Sequence, residues 1–226
     1  MLFKRGFTLT GEIVNLSDLQ NLHKGETVWV LGSGPSLNYI DGSLFDDKTT
    51  VSTNFSARAL GVRADYAFTH YHANAADLLN DTMTVVTIEH DTLTYKPWGG
   101  SDTPDLVLAP TPYDRPPGSS WNPLTTHKTG TGQITYGSSS LHGAMHLAAH
   151  LGASHIILVG ADAGFIDDVS NVDNYPLPTQ TFSFGVWNRH TVLLKQWLRE
   201  RYGVNIHSLN PFINLNLEGH TFKGVS

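Results

Sequence analysis

Short apolar runs, each bounded by glycine or by a polar cluster, recur along the first ninety residues. Their length and their β-branched and aromatic content are typical of buried strands. The runs cover residues 28–31, 50–53, 64–69 and 82–88. The intervening segments predict short helical turns at 56–61 and 74–80, with a further turn at 17–23.

The second half of the chain alternates helical and extended patterns. One apolar stripe at helical spacing follows three serines, which favour a helix start, and ends at Gly152, which favours a helix end. The predicted elements are helix 141–151, strand 155–160, helix 189–202 capped by Asn188, and strand 204–209. This order predicts an α/β fold: a Rossmann-like, doubly wound, mostly parallel sheet. We assign residues 1–226 to a single nucleotide-binding domain.

Residues 95–137 interrupt this alternation, because prolines and glycines recur throughout them. A long stretch without periodic structure inside a compact domain is usually functional. We predict an irregular insertion there that serves as a lid or as an acceptor loop. Residues 164–185 are predicted to be a second irregular stretch.

Composition excludes several classes of function. The 226 residues carry a formal charge of −6 and no run of lysine or arginine, so no nucleic-acid partner is expected. The absence of cysteine excludes disulfides, cysteine nucleophiles and thiolate metal sites. No stretch approaches a membrane span of roughly 18 apolar residues, and residues 1–16 do not resemble a signal peptide. We expect a cytoplasmic protein, and a homo-oligomer is compatible with the sequence.

The turn after the first strand is the first candidate site, with Gly32, Ser33, Gly34 and Ser36 as candidate ligand-binding residues. Glycines at the carboxyl end of a parallel strand leave backbone N–H groups accessible to phosphate. The alternative is a tight turn without a ligand. The dinucleotide fingerprint fails, because Leu37 replaces its third glycine and the second strand ends without an acidic residue, so no NAD site is expected.

Other candidates follow the ends of further predicted elements. Asn54 follows the second strand, residues 70–72 (His-Tyr-His) follow the third, and Asp162 follows strand 155–160. Ser139 and Ser140 begin a helix, whose N–H groups and dipole could hold phosphate, although they could equally be ordinary capping serines. Asp162 could orient a ribose or a base, or could cap a loop.

His190 is predicted in the first turn of the last helix, on the same face as Leu194. Histidine is the side chain whose ordinary pKa lies nearest neutral, which suits a general base. We therefore predict that His190 is the catalytic base and lines one cleft with Ser36 and Ser139. His70 and His127 are the next candidates, and a surface position is the alternative for His190.

Three histidines, His142, His146 and His150, share one helix face, which could indicate zinc. No glutamate lies between them in the zincin pattern. We expect no metal site here and assign no cofactor.

Three blocks resemble one known family. The sequences VWVLGSGPSLNYID, TNFSARALGVRADYAFTHY and SSSLHGAMHLAAHLGASHIILVGADAGF are similar, in this order, to bacterial lipooligosaccharide sialyltransferases. They also resemble the related motility accessory factors and hydroxymethylpterin-pyrophosphokinase-like proteins. The matching blocks cover roughly half of the chain.

The resemblance implies roles for individual residues. Ser33 and Ser36 would contact the nucleotide phosphate and ribose, Asn54 the donor sugar and phosphate, and Asp162 the nucleoside. Ser139 and Ser140 would contact the phosphate or the sugar carboxylate. The family's catalytic histidine lies just before the last long helix. The matching position here falls near residues 186–187, and His190 is the nearest histidine.

The resemblance thus implies a glycosyltransferase that uses a nucleotide-activated sugar, specifically a CMP-linked nonulosonate, and a glycan or small-molecule acceptor. We expect it to be metal-independent, because residues 69–72 (Thr-His-Tyr-His) replace the acidic magnesium-binding cluster expected after the third strand of the pterin kinases. Two alternatives stay open. One is a pyrophosphokinase of the hydroxymethylpterin type that uses ATP and magnesium. The other is a non-catalytic nucleotide-binding protein of the same fold.

Overall fold

The structure is a computed structural model that describes residues 16–78, 82–88, 105–109, 134, 138–178, 181–209 and 221–224. Its strands are β1 Thr27–Leu31, β2 Thr49–Thr53, β3 Ala64–Thr69, β4 Thr82–Ile88, β5 Asp105–Ala109, β6 His155–Val159, β7 Phe165–Ile166, β8 Asn205–Ser208 and β9 Thr221–Phe222. Its α-helices are α1 Ser56–Leu60, α2 His72–Leu78, α3 Ser140–His150 and α4 Phe184–Tyr202. Short 3₁₀ helices cover Leu16–Leu19, Pro35–Tyr39, Gly42–Phe45 and Thr181–Ser183.

Among the described residues, seven parallel strands form the main sheet, in the order β5-β4-β3-β2-β1-β6-β8. The order runs outward from β1 in one direction through β2 to β5, and in the other direction through β6 to β8. This reversal between β1 and β6 is the topological switch point of a doubly wound sheet, where the loops diverge and leave a crevice. The predicted α/β, Rossmann-like fold is therefore confirmed.

Both faces of the sheet are covered, because alternate residues of each strand point to opposite sides. Val28 and Val30 of β1 pack in one cluster with α3 and α4, and Leu31 packs on the other face with Leu37 and Phe45. Gly143 brings α3 close to the sheet, since a Cβ at this position would overlap the ring of Phe68. Helix α3 consequently lies across β1, β2 and β3.

One strand lies inside the segment predicted to be irregular. Residues 105–109 form β5 and pair in parallel with β4 at the edge of the sheet. Pro104 and Pro110 flank this strand without interrupting it, which is the position that an edge strand tolerates. Apart from β5 and Ile134, the predicted insertion at 95–137 lies outside the described residues.

The last helix begins five residues earlier than predicted. Helix α4 starts at Phe184, whose ring contacts Phe165 and Trp187, and Ser183 occupies the N-cap position. Asn188, the predicted cap, instead donates a side-chain hydrogen bond to the carbonyl of Ala163 at 3.3 Å. His190 therefore lies in the second turn rather than the first.

The stretch at 164–185 is also more regular than predicted, because β7 pairs in parallel with β9 as a second, two-stranded sheet. Among the helices described, none is both long enough and apolar enough to span a bilayer.

Candidate functional site

A cavity of about 420 Å³ opens at the carboxyl edge of the sheet, at the switch point between β1 and β6. Residues that follow β1, β2, β3 and β6 line it, together with the first turn of α3 and residues 170–178. These segments meet because all parallel strands end at the same edge. Of the predicted site residues, Gly32, Ser33, Gly34, Asn54, Ser139, Ser140 and Asp162 line this cavity.

The glycine-rich turn does not present the bare N–H groups that its sequence suggests. The N–H of Gly32 donates to the carbonyl of Val159 at 2.7 Å, and that of Gly34 donates to the carbonyl of Gly160, also at 2.7 Å. Glycine is required at both positions for packing, because a Cβ on Gly32 would overlap the Gly160 carbonyl. The prediction that these N–H groups are accessible to phosphate is thus corrected, because they donate to carbonyls at the end of β6.

Ser36 is not among the residues that line the cavity and is 1% exposed. Its N–H and its hydroxyl both donate to the carboxylate of Asp162, each at 2.8 Å. Asp162 is itself 6% exposed and approaches Gly34 so closely that a Cβ there would overlap it. The pair therefore holds the 3₁₀ helix Pro35–Tyr39 against the end of β6. Of the two alternatives for Asp162, this contact favours the cap of a loop over a residue that binds a ribose.

The amino end of α3 opens directly onto the cavity, which Ser138, Ser139, Ser140 and Leu141 line. Ser139 is the N-cap residue, but its side chain makes no capping hydrogen bond. The first N–H groups of a helix have no acceptor within the helix, and the helix dipole makes this end partially positive. The side chain of Ser139 thus does not act as an ordinary cap, and the end of α3 suits a bound anion.

A chain of polar side chains crosses the cavity floor. Nδ1 of His70 lies 2.6 Å from the hydroxyl of Ser140, which donates to Oδ1 of Asn54 at 3.4 Å. Nδ2 of Asn54 in turn donates to the hydroxyl of Tyr175 at 3.4 Å. Burial raises the pKa of Tyr175, while hydrogen bonds from Asn54 and Ser33 oppose this shift, so the Tyr175 hydroxyl stays protonated at neutral pH.

Tyr175 reaches this position because its loop is fastened to the turn after β1. The N–H of Val172 donates to the carbonyl of Ser33 at 2.8 Å. Asn38 and Asp173 exchange two hydrogen bonds, of 2.8 and 3.2 Å. The sequence offered no signal for Tyr175, since its loop lies in the stretch predicted to be irregular.

An apolar wall faces these polar groups. Aromatic side chains of Tyr71, Phe184 and Trp187 line it together with Leu177. Phe184 and Trp187 contact each other with ring centroids 5.6 Å apart. Sequence reasoning missed Phe184 because it began the last helix after this residue, and it noted Trp187 only as lying near the position that matches the family's catalytic histidine. The cluster at residues 70–72 was the one signal for Tyr71.

His190 is not among the residues that line the cavity. It is 5% exposed, and its Nδ1 lies 2.8 Å from the hydroxyl of Ser138. Its helix face is anchored as predicted, with Leu194 and Leu198 fully buried. The prediction that His190 lines one cleft with Ser36 and Ser139 is therefore corrected: neither His190 nor Ser36 lines the cavity, and His190 contacts the lining residue Ser138.

The three histidines of α3 contact three different partners. Nε2 of His142 bonds Thr191 at 3.0 Å, that of His146 bonds Tyr202 at 2.7 Å, and that of His150 donates to the carbonyl of Leu16 at 2.8 Å. In the portion of the chain that the structure describes, no three metal-ligating side chains cluster. The histidine row therefore joins α3 to α4 and to the segment before β1.

Comparisons with known proteins give structural neighbours only. No family model and no curated protein matches the sequence. The structure is similar to that of the MAf glycosyltransferase from Magnetospirillum magneticum AMB-1, with 17% identity and a TM-score of 0.48, over 88% of this chain and 36% of that one. It is also similar to the sialyltransferase CST-II in complex with a trisaccharide acceptor and CMP, with 17% identity and a TM-score of 0.43, over 82% of each chain. The chain thus spans about a third of the length of the MAf enzyme.

Proposed function

We propose that this chain is a glycosyltransferase that uses a nucleotide-activated sugar, specifically a CMP-linked nonulosonate, and works without a metal ion. The observation that carries the proposal is the uncapped amino end of α3, which opens onto the cavity at the switch point of the sheet. Glycosyl transfer from such a donor releases a nucleoside monophosphate. A helix amino end is suited to stabilise the charge that develops on that leaving group.

The charge balance of the cavity favours a donor of low charge. Among the lining residues that the structure describes, Asp162 is the one acidic side chain, and lysine and arginine are absent. A CMP-linked sugar has a single phosphodiester, and its charge suits one helix end with neighbouring hydroxyls. An ATP–magnesium complex needs carboxylate ligands for the metal ion, and the Asp162 carboxylate already accepts two hydrogen bonds from Ser36.

The two walls of the cavity suit the two substrates. The end of α3 and the hydroxyl of Ser139 offer hydrogen bonds to the nucleotide and to the sugar carboxylate. The aromatic wall at Trp187 and Phe184 offers apolar surface to the ring of a glycan or small-molecule acceptor. The resemblance of the sequence blocks to the sialyltransferases supports the same assignment.

Thermal-shift measurements with CMP, CDP, UDP, AMP and ATP, each with and without magnesium, test the donor. A ligand at about 100 times its Kd stabilises by roughly 2.7 kcal/mol, which corresponds to about 5–11 °C in Tm for a chain of this size. We expect CMP to give this shift equally with and without magnesium. Stabilisation by ATP and magnesium alone would instead establish the pyrophosphokinase alternative.

A matched pair of variants at the end of α3 tests the anion site itself. Asparagine and aspartate are equally good N-caps, so Ser139→Asn and Ser139→Asp should both fold. Ser139→Asp adds a negative charge where the phosphate is proposed to bind, and should weaken CMP binding by at least about tenfold, or 1.4 kcal/mol, relative to Ser139→Asn. Equal affinity in the two variants would contradict the proposed phosphate position.

Transfer itself is measured by donor hydrolysis and by product formation with a panel of glycan acceptors. CMP binding without hydrolysis or transfer would favour the non-catalytic alternative over the enzyme.

A further inference from the structure

His70 is the histidine of the described residues that reaches the cavity. It follows the last residue of β3, and its ring packs on that of Tyr71, with centroids 3.7 Å apart and planes inclined by 39°. The strand end and the aromatic contact together fix the imidazole. His190, by contrast, lies behind Ser138 and is 5% exposed.

The two contacts of the Ser140 hydroxyl bear on which ring nitrogen of His70 carries the proton. A serine hydroxyl has one hydrogen to donate. The hydroxyl of Ser140 donates it to Oδ1 of Asn54, which can only accept. With the Ser140 hydrogen on that bond, Nδ1 of His70 is the donor at the 2.6 Å contact with Ser140. In the neutral ring this tautomer leaves the basic lone pair on Nε2.

Asn54 is held in the orientation that this assignment needs. Its N–H donates to the carbonyl of Phe68 at 3.0 Å, and its Nδ2 donates to Tyr175. Its backbone has φ of +48°, in the left-handed region that asparagine tolerates better than most residues. His70 is thus arranged as a base that is oriented by a second group, Ser140, which is in turn oriented by a third group, Asn54.

We propose that His70 is the proton acceptor of the transferase, with Ser140 and Asn54 as positioning residues that fix its tautomer. This inference rests on the proposed function. As the acceptor oxygen forms a bond to the anomeric carbon, Nε2 of His70 takes the hydroxyl proton. The bond from the anomeric carbon to the phosphate oxygen breaks, and its electron pair leaves with the nucleoside monophosphate. The proton then passes from His70 to water.

Nitrogen-15 NMR of the histidine rings tests the tautomer without any need for turnover. We expect His70 of the neutral protein to show a protonated Nδ1 and an unprotonated Nε2. Ser140→Ala should remove this preference and Ser140→Thr, which keeps a hydroxyl, should restore it. The exposed His155 serves as the reference ring, because the hydrogen bond described for its side chain joins Nδ1 to the neighbouring Ser154. A His70 ring protonated on Nε2 would overturn the inference.

Variants of the base test its role in transfer. His70→Gln should lower the transfer rate by about 10²–10⁴-fold, the usual contribution of a general base, with CMP affinity changed by less than about threefold. His155→Gln is the matched control and should transfer at the wild-type rate. Thermal unfolding of His70→Gln shows whether the variant is folded.

The outcomes separate this inference from the proposed function. A wild-type protein that transfers sugar, with a His70→Gln variant that transfers equally fast, would refute the base and leave the glycosyltransferase intact. A wild-type protein that neither binds CMP nor transfers would refute the proposed function, and the proton acceptor with it.

Discussion

The contact between Ser36 and Asp162 yields the sharpest prediction about stability. Both side chains are almost completely buried, and the Asp162 carboxylate receives the N–H and the hydroxyl of Ser36 at 2.8 Å. Net contributions of hydrogen bonds to charged groups are about 1.5–3 kcal/mol each. Asp162→Ala removes two of them and should lower the free energy of unfolding by about 3–6 kcal/mol.

Two milder substitutions should separate the bonds from the charge. Asp162→Asn can keep both contacts, because its Oδ1 can accept from the Ser36 N–H while its Nδ2 donates to the Ser36 hydroxyl. It loses only the charge assistance and should cost about 2 kcal/mol. Ser36→Ala removes the hydroxyl bond alone and should cost about 1.5–3 kcal/mol.

Urea unfolding followed by tryptophan fluorescence measures these differences, provided that the m-value stays constant. Because the two residues act on each other, the double variant Ser36→Ala/Asp162→Ala should be about as stable as Asp162→Ala alone, a coupling within the 0.5–3 kcal/mol seen for contacting residues. Strict additivity of the two losses, or an Asp162→Asn variant as unstable as Asp162→Ala, would refute the stabilising role of this contact.

Two further predictions concern α3. Gly143→Ala gains about 1 kcal/mol of helix propensity, but the added Cβ overlaps Phe68, and such overpacking costs about 1–3 kcal/mol. Urea unfolding should therefore show that the variant is less stable than the wild type. The additional substitution Phe68→Leu should relieve this loss. Burial lowers the pKa of His150, although its hydrogen bond to Leu16 opposes the shift. The unfolded chain therefore takes up the proton first as pH falls below about 6.5. Stability should decline there while staying level above, and unfolding measured against pH should show a shallower decline in His150→Gln.

Local patterns in the sequence determined most of the architecture. The run at 28–31 and the strand at 155–160 were identifiable because buried parallel strands require short, continuous apolar segments. Helix 141–151 was recognised within one residue at each end, since its serine start and Gly152 are local signals. The alternation of these elements then specified a parallel sheet, because parallel neighbours require crossover connections.

Sequence reasoning also identified which strand ends carry polar residues. Gly32, Asn54 and Asp162 follow three different strands, and parallel strands bring their carboxyl ends to one edge. The location of the cavity was therefore predictable from the order of elements alone. Strand β5 was not predictable, because the prolines on either side of it are typical of a loop. Its pairing with β4 is what identifies it as a strand.

Only the tertiary structure decided what each candidate does, because the partner of a polar group is set by contacts between segments far apart in sequence. Ser36 and Asp162, 126 residues apart, satisfy each other. The N–H groups of Gly32 and Gly34 are taken by the end of β6, whereas the amino end of α3 opens onto the cavity. Ser138 and Ser140 are two residues apart, yet one contacts the buried His190 and the other contacts His70 at the cavity. Two neighbouring helix-start serines that look alike in the sequence thus differ because α4 and β3 approach them from different sides.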